Sequence, residues 1–295
     1  MRFVRRSGRK FWLAALPILL WCALSSTGLP APAQAEARRL PADQVGSHLL
    51  SVADREWRDW GQPLVDARDG HSRVLRRGAR ESDRAWSPDP AACTPARRAR
   101  RSFGCHHEAP FDAQLRVRQY WRVGLGPDSK PAREPAELER LARAAPWSAV
   151  FISFLMEQVG LSRDAFPFDE AHSNYLRGLA AREAGLAARD APAQFAVLLA
   201  RDTPLAPGDL LCGPRNTSRD LDRYSVQVMR SLDDLQRLTA SHCDLVVTVD
   251  RRTREARLIG GNVANSVAMT VIPLTSDGRA IRTLTRPWFA IARPR

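Results

Sequence analysis

Apolar positions change period along the chain. Up to the Pro-Gly break in LAPGDLLCG (205–213) they recur mostly at helical spacing, and beyond it they come in short β-branched runs. LLSVADREWRDWG (49–61) places Leu49, Val52, Trp57 and Trp60 on one helical face. AQLRVRQYWRVGLG (113–126) reads as a helix ending at its glycines, and EPAELERLARAAPW (134–147) as another with Leu138 and Leu141 on one side. In RAAPWSAVFISFLMEQVG (143–160), Val150, Phe151, Phe154, Leu155 and Val159 make so broad an apolar face that the helix must be buried, and Gly160 stops it. DEAHSNYLRGLAAREAG (169–185) and PAQFAVLLARD (192–202) predict two more helices. HCDLVVTVDRRTREARLIGGNVANSVAMTVIPL (242–274) then reads as strands separated by a charged turn and a glycine pair, and RPWFAIARP (286–294) as a closing strand. Helices followed by an antiparallel meander predict an α+β domain.

The front of the chain has a different composition. Residues 1–35 carry Arg2, Arg5, Arg6, Arg9 and Lys10, an uncharged run from Phe11, and small residues ending Ala33-Gln34-Ala35. This is the layout of a secretory signal peptide. An uncleaved anchor also fits the uncharged run, but Pro17 and the small-residue exit favour cleavage after Ala35. The expectation is therefore export to the periplasm or cell envelope, with no stable membrane span after processing. Residues 36–112, rich in Arg, Asp, Ala and Pro, are expected to be partly irregular, and 113–295 to form the folded domain.

The formal charge of +13 falls, with the signal's five basic residues and no acidic one, to +8. The excess is almost all arginine, Lys10 and Lys130 being the lysines, and it lacks interleaved aromatic residues. Such a surface argues against a nucleic-acid partner and for a salt-sensitive attraction to anionic envelope polymers. Cys93, Cys105, Cys212 and Cys243 remain after processing, an even number for an oxidising compartment. Local spacing favours pairing Cys93 with Cys105, which leaves Cys212 with Cys243. CHHE (105–108) also offers Cys93, His106 and His107 as metal ligands, but no CxxC or HxxxH spacing supports a tetrahedral site. No metal and no cofactor are expected.

Candidate chemistry centres on Ser148, a small polar residue behind Trp147 at the start of the buried helix. If that helix packs on the meander, Ser148 faces His242 at a strand start and Asn262 behind the glycine pair: a nucleophile, a base and an orienting amide. Each also has a plainer reading, Ser148 as a helix cap, His242 as a strand-end histidine and Asn262 as a turn residue. Trp147 is expected to wall the helix start, His172 to line the cleft, and Asp209 to organise the turn before its strand.

PWSAVFISFLM, HSNYL, PGDLLC, HCDLVVTVD and GGNVANSV together resemble the bacterial domain-of-unknown-function 2272 family over roughly residues 115 to 292, and more distantly the NlpC-type and CHAP-type cell-wall peptidases. The resemblance implies a papain-like fold, with Ser148 in the nucleophile position, His242 in the base position and Asn262 in the orienting position. Those peptidases carry cysteine where Ser148 stands. A serine hydroxyl is not stored ionised, so it needs a neutral histidine as general base, and its shorter bond in a framework shaped for sulfur is expected to cost about a hundredfold in rate. Implied functions are an exported hydrolase, an amidase or peptidase, acting on peptidoglycan peptides or a related envelope amide; a non-catalytic domain that binds such peptides or glycopeptides; or an envelope interaction protein.

Overall fold

The computed structural model describes residues 40–75, 111–129, 146–185, 194–214, 231–238, 240–283 and 286–295. The signal segment, the Cys93 and Cys105 pairing, the CHHE stretch and the helix expected over 134–147, save its last two residues, lie outside them. The described residues are α+β, with four α-helices and an eight-stranded, mostly antiparallel sheet.

The helices are α1 (Ala42–Asp59), α2 (Phe111–Leu125), α3 (Ser148–Gln158) and α4 (His172–Glu183). The strands are β1 (Leu64–Asp66), β2 (Arg73–Leu75), β3 (Phe195–Leu199), β4 (Leu210–Pro214), β5 (Ser241–Asp250), β6 (Glu255–Val263), β7 (Ser266–Pro273) and β8 (Ala290–Pro294). Their order across the sheet is β2-β1-β7-β6-β5-β4-β8-β3. The expected meander is β5-β6-β7, and the chain ends widen it on both sides, β1 joining β7 in parallel.

PAQFAVLLARD is a strand, not a helix. Its apolar run is too short for periodicity to separate a buried helix from a buried strand, and pairing with β8, Phe195 opposite Pro294 through Leu199 opposite Ala290, decides it. The glycine pair lies inside β6 and does not separate strands; the turn comes at Ala264 and Asn265, both left-handed. A ladder irregularity between Gly260 and Val263 puts Asn262 at a φ of 56°, where asparagine is among the best tolerated non-glycine residues.

Every residue of α3 from Ser148 to Met156 is buried, as an apolar helix at the centre of a core demands. One core cluster joins α3 to Val45, Leu49, Val52 and Trp60 of the front segment, Val117 and Tyr120 of α2, Tyr175 of α4, and Leu245 and Ile259 of the sheet. The segment before residue 113 thus supplies a helix to this core and two strands to the sheet. A second cluster, built on Leu211, Val246, Leu258, Ile272, Trp288 and Ile291, forms a separate apolar layer.

Candidate functional site

Ser148 begins α3, but its hydroxyl is not a cap. Trp147 holds the cap position, with no side-chain cap bond, while Ser148 Oγ lies 2.8 Å from His172 Nε2. His172 in turn is the first residue of α4, where Asp169 braces the approach by accepting from the Ala171 amide and from Asn174 Nδ2. Two helix starts therefore meet at the Ser148–His172 contact. The first amides of a helix have no carbonyl one turn earlier, and the helix dipole is positive there, so negative charge developing on Ser148 is favoured.

The other imidazole nitrogen, His172 Nδ1, is hydrogen-bonded to the hydroxyl of Tyr175, one helical turn on. Burial, followed by the charges of Asp244 and Asp169, pushes the Tyr175 phenol well above its usual value of 10.0, so it stays neutral. Two tautomers satisfy this chain of bonds. When Nδ1–H donates to the phenol oxygen, Nε2 presents its lone pair to the serine hydroxyl, and His172 is poised as a base. Phe166 packs on Tyr175 with ring centroids 5.0 Å apart and holds the phenol in place.

His242 forms a second pair beside the first. Its Nε2 lies 2.7 Å from Asp244 Oδ1, and its ring meets that of His172 edge to face at 5.5 Å between centroids. Asp244 is fully buried, and Arg286 Nη1 approaches its second oxygen at 3.7 Å. His242 Nδ1 is buried and has no hydrogen-bond partner among the described residues. The glycine pair makes this packing possible. A Cβ on Gly260 would lie 1.7 Å from Asp244 Oδ1, and one on Gly261 would lie 2.5 Å from Phe151 Cβ on α3.

The disulfide joins Cys212 to Cys243, directly opposed in the β4-β5 ladder with 4.1 Å between Cα atoms. It fixes the residue between His242 and Asp244. Among the described residues no cluster of His, Cys, Asp and Glu is arranged to hold a metal ion, and no helix is long and apolar enough to cross a membrane.

Of the residues singled out from sequence, Ser148, His172 and His242 come together, and Trp147 is fully buried behind the helix start. Among the described residues no hydrogen bond joins Asn262 to His242; the group on that imidazole is Asp244. Asp209 does organise its turn, accepting from the Ala206 amide and from Arg293. Sequence reasoning passed over Tyr175 and Asp244, although simple spacings point to both. A tyrosine three residues after a histidine shares its helical face, and an aspartate two residues after one shares its strand face.

A family model described as "uncharacterized protein conserved in bacteria (DUF2272)" matches residues 112–293, and the chain belongs to that family. No curated protein and no solved structure matches it.

Proposed function

We propose that the chain is an exported, papain-like hydrolase of the cell envelope that cleaves an amide in peptidoglycan peptides or a related envelope substrate, with Ser148 as nucleophile. The observation that carries this reading is the 2.8 Å contact between Ser148 Oγ and His172 Nε2 at two converging helix starts. Serine's shorter bond does not put its hydroxyl out of reach of a base here. The disulfide suits the oxidising compartment that the signal-like front segment implies.

In this reading His172 Nε2 takes the Ser148 proton as Oγ attacks the amide carbon, while Nδ1–H to Tyr175 holds the productive tautomer. The oxyanion forms against the first amides of α3. The C–N bond breaks as His172 returns its proton to the leaving amine, which leaves an ester on Ser148. Water then attacks the ester carbon as His172 Nε2, free again, takes its proton; the acyl C–O bond breaks and His172 returns that proton to Ser148 Oγ. Burial limits access to the pair: Ser148 is 1% exposed, and the His242 side chain beside it 13%.

That same burial favours a second reading, in which the domain binds envelope peptides without cutting them and the Ser148–His172–Tyr175 chain specifies the core. Turnover of purified peptidoglycan peptides separates the two. The hydrolase reading expects cleavage by wild type, background rates for Ser148→Ala, and a loss of about 10²–10⁴-fold for His172→Ala, each in protein shown to be folded at the assay temperature. Peptide binding by wild type without cleavage leaves the binding reading standing.

A further inference from the structure

The start of α3 is held from outside the family-matched residues. Trp60, at the C-terminal end of α1, stacks on Trp147 with ring centroids 5.5 Å apart and 24° between planes. Trp147 is the residue on which α3 begins, next to Ser148. Tyr120 of α2 covers the same indole at 5.7 Å.

The Trp60 ring is itself fixed by a buried polar chain. Its indole N–H donates to the Tyr120 hydroxyl at 2.8 Å, and that hydroxyl donates to Glu56 Oε2 at 2.6 Å. Glu56 is 3% exposed and would be a costly buried charge alone, but Arg116 grips both its oxygens, from Nε at 2.9 Å and from Nη2 at 3.1 Å. A buried carboxylate with this many directed partners restricts the ring attached to it far more closely than an apolar contact does.

We propose that Trp60 is a positioning residue for Ser148, acting through Trp147. Locked by Glu56 and Tyr120, its indole sets the pose of Trp147 and with it the first turn of α3, the Ser148 hydroxyl and the amides around it. This inference rests on the reading of Ser148 as a nucleophile and extends that site to α1, ahead of residue 112.

The test uses the full chain with Ser148→Cys, and reads the rate of iodoacetamide alkylation against pH. If Ser148 is a nucleophile that substrate reaches, a thiol in its place, at a helix start beside His172, is expected to have a lowered pKa and to react quickly near neutrality. Adding Trp60→Leu is expected to move the pH midpoint of alkylation upward, toward an ordinary thiol, and to slow the reaction near neutral pH about threefold to tenfold. Trp60→Phe keeps a ring for Trp147 to stack on but loses the indole N–H bond to Tyr120, so a smaller shift in the same direction is expected, and it decides the matter alone if Trp60→Leu does not fold. Leu258→Ala, which weakens the separate apolar layer, is expected to lower the thermal midpoint without moving the alkylation profile. An unchanged profile in the folded Trp60 variants, or an equal change with Leu258→Ala, overturns the inference while leaving Ser148 as a nucleophile. A thiol that is already inert in the Ser148→Cys protein, with Trp60 intact, overturns both.

Discussion

The two halves of the candidate site are built on opposite principles. The helix half, Ser148, His172 and Tyr175, is at most 2% exposed and holds its groups by hydrogen bonds between two hydroxyls and an imidazole. The strand half is ionic and reaches the surface: Asp244 is sealed, but its partners His242 and Arg286 have side chains 13% and 15% exposed. A buried hydroxyl chain keeps a proton available but needs close placement, because no water repairs a broken bond there. A fully buried carboxylate is costly unless paired, so Asp244 depends on His242 and Arg286. In the proposed reaction, bond formation and proton transfer therefore belong to the helix half, against whose His172 ring the strand half packs.

The largest expected effect that bears on this contrast comes from the disulfide, a brace of the strand half. Replacing Cys212 and Cys243 together by alanine opens a covalent link between positions 31 residues apart and is expected to cost about 3–5 kcal/mol on the chain-entropy account. Amide exchange should accelerate in β4 and around His242 while the starts of α3 and α4 keep their protection. Equal loosening of both halves would show that they are one cooperative unit.

A smaller effect sharpens the helix half. Tyr175 is neutral in the fold, its pKa raised well above 10.0 by burial and by Asp244, whereas in the unfolded chain it ionises near 10.0. Its contribution is therefore full below pH 10 and declines as pH rises from there through the folded pKa. Each unit of pH in that window removes about 1.4 kcal/mol for such a group. Tyr175→Phe is expected to cost about 0.5–1.5 kcal/mol at neutral pH through the lost bond to His172, and to flatten the alkaline decline by its share. The share of Tyr120, raised by its own burial and the Glu56 charge, remains. Denaturant titrations near pH 7 and above pH 10 measure both. An alkaline slope identical in the two proteins would mean that Tyr175 ionises without unfolding.

What the sequence made legible follows from which contacts are local. The buried α3, the β5-β6-β7 meander and the Cys212–Cys243 pair each rest on period, composition or local cysteine spacing, and each is present. The strand β3 was hidden because FAVLL alone is equally good as buried helix or buried strand, and its partner β8 lies far along the chain. The link from Ser148 to His172 crosses 24 residues between two helix starts, and no periodicity records that meeting. Asn262 drew attention for following two glycines, but those glycines are there for what they lack: Gly260 leaves space for the Asp244 carboxylate and Gly261 for Phe151. Residues that matter by absence of a side chain carry no chemical signature of the neighbour they accommodate.

The central claim is that the Ser148 hydroxyl and the His172 imidazole work as a couple. The most direct measurement compares alkylation of Ser148→Cys with that of Ser148→Cys/His172→Gln in the folded protein, with Ser148→Cys/His242→Ala as the strand-half counterpart. The account predicts a fast thiol near neutral pH, a marked slowing and an upward pH midpoint on loss of His172, and a lesser change on loss of His242. A thiol that stays inert until the protein unfolds, or one whose rate ignores His172, would contradict it.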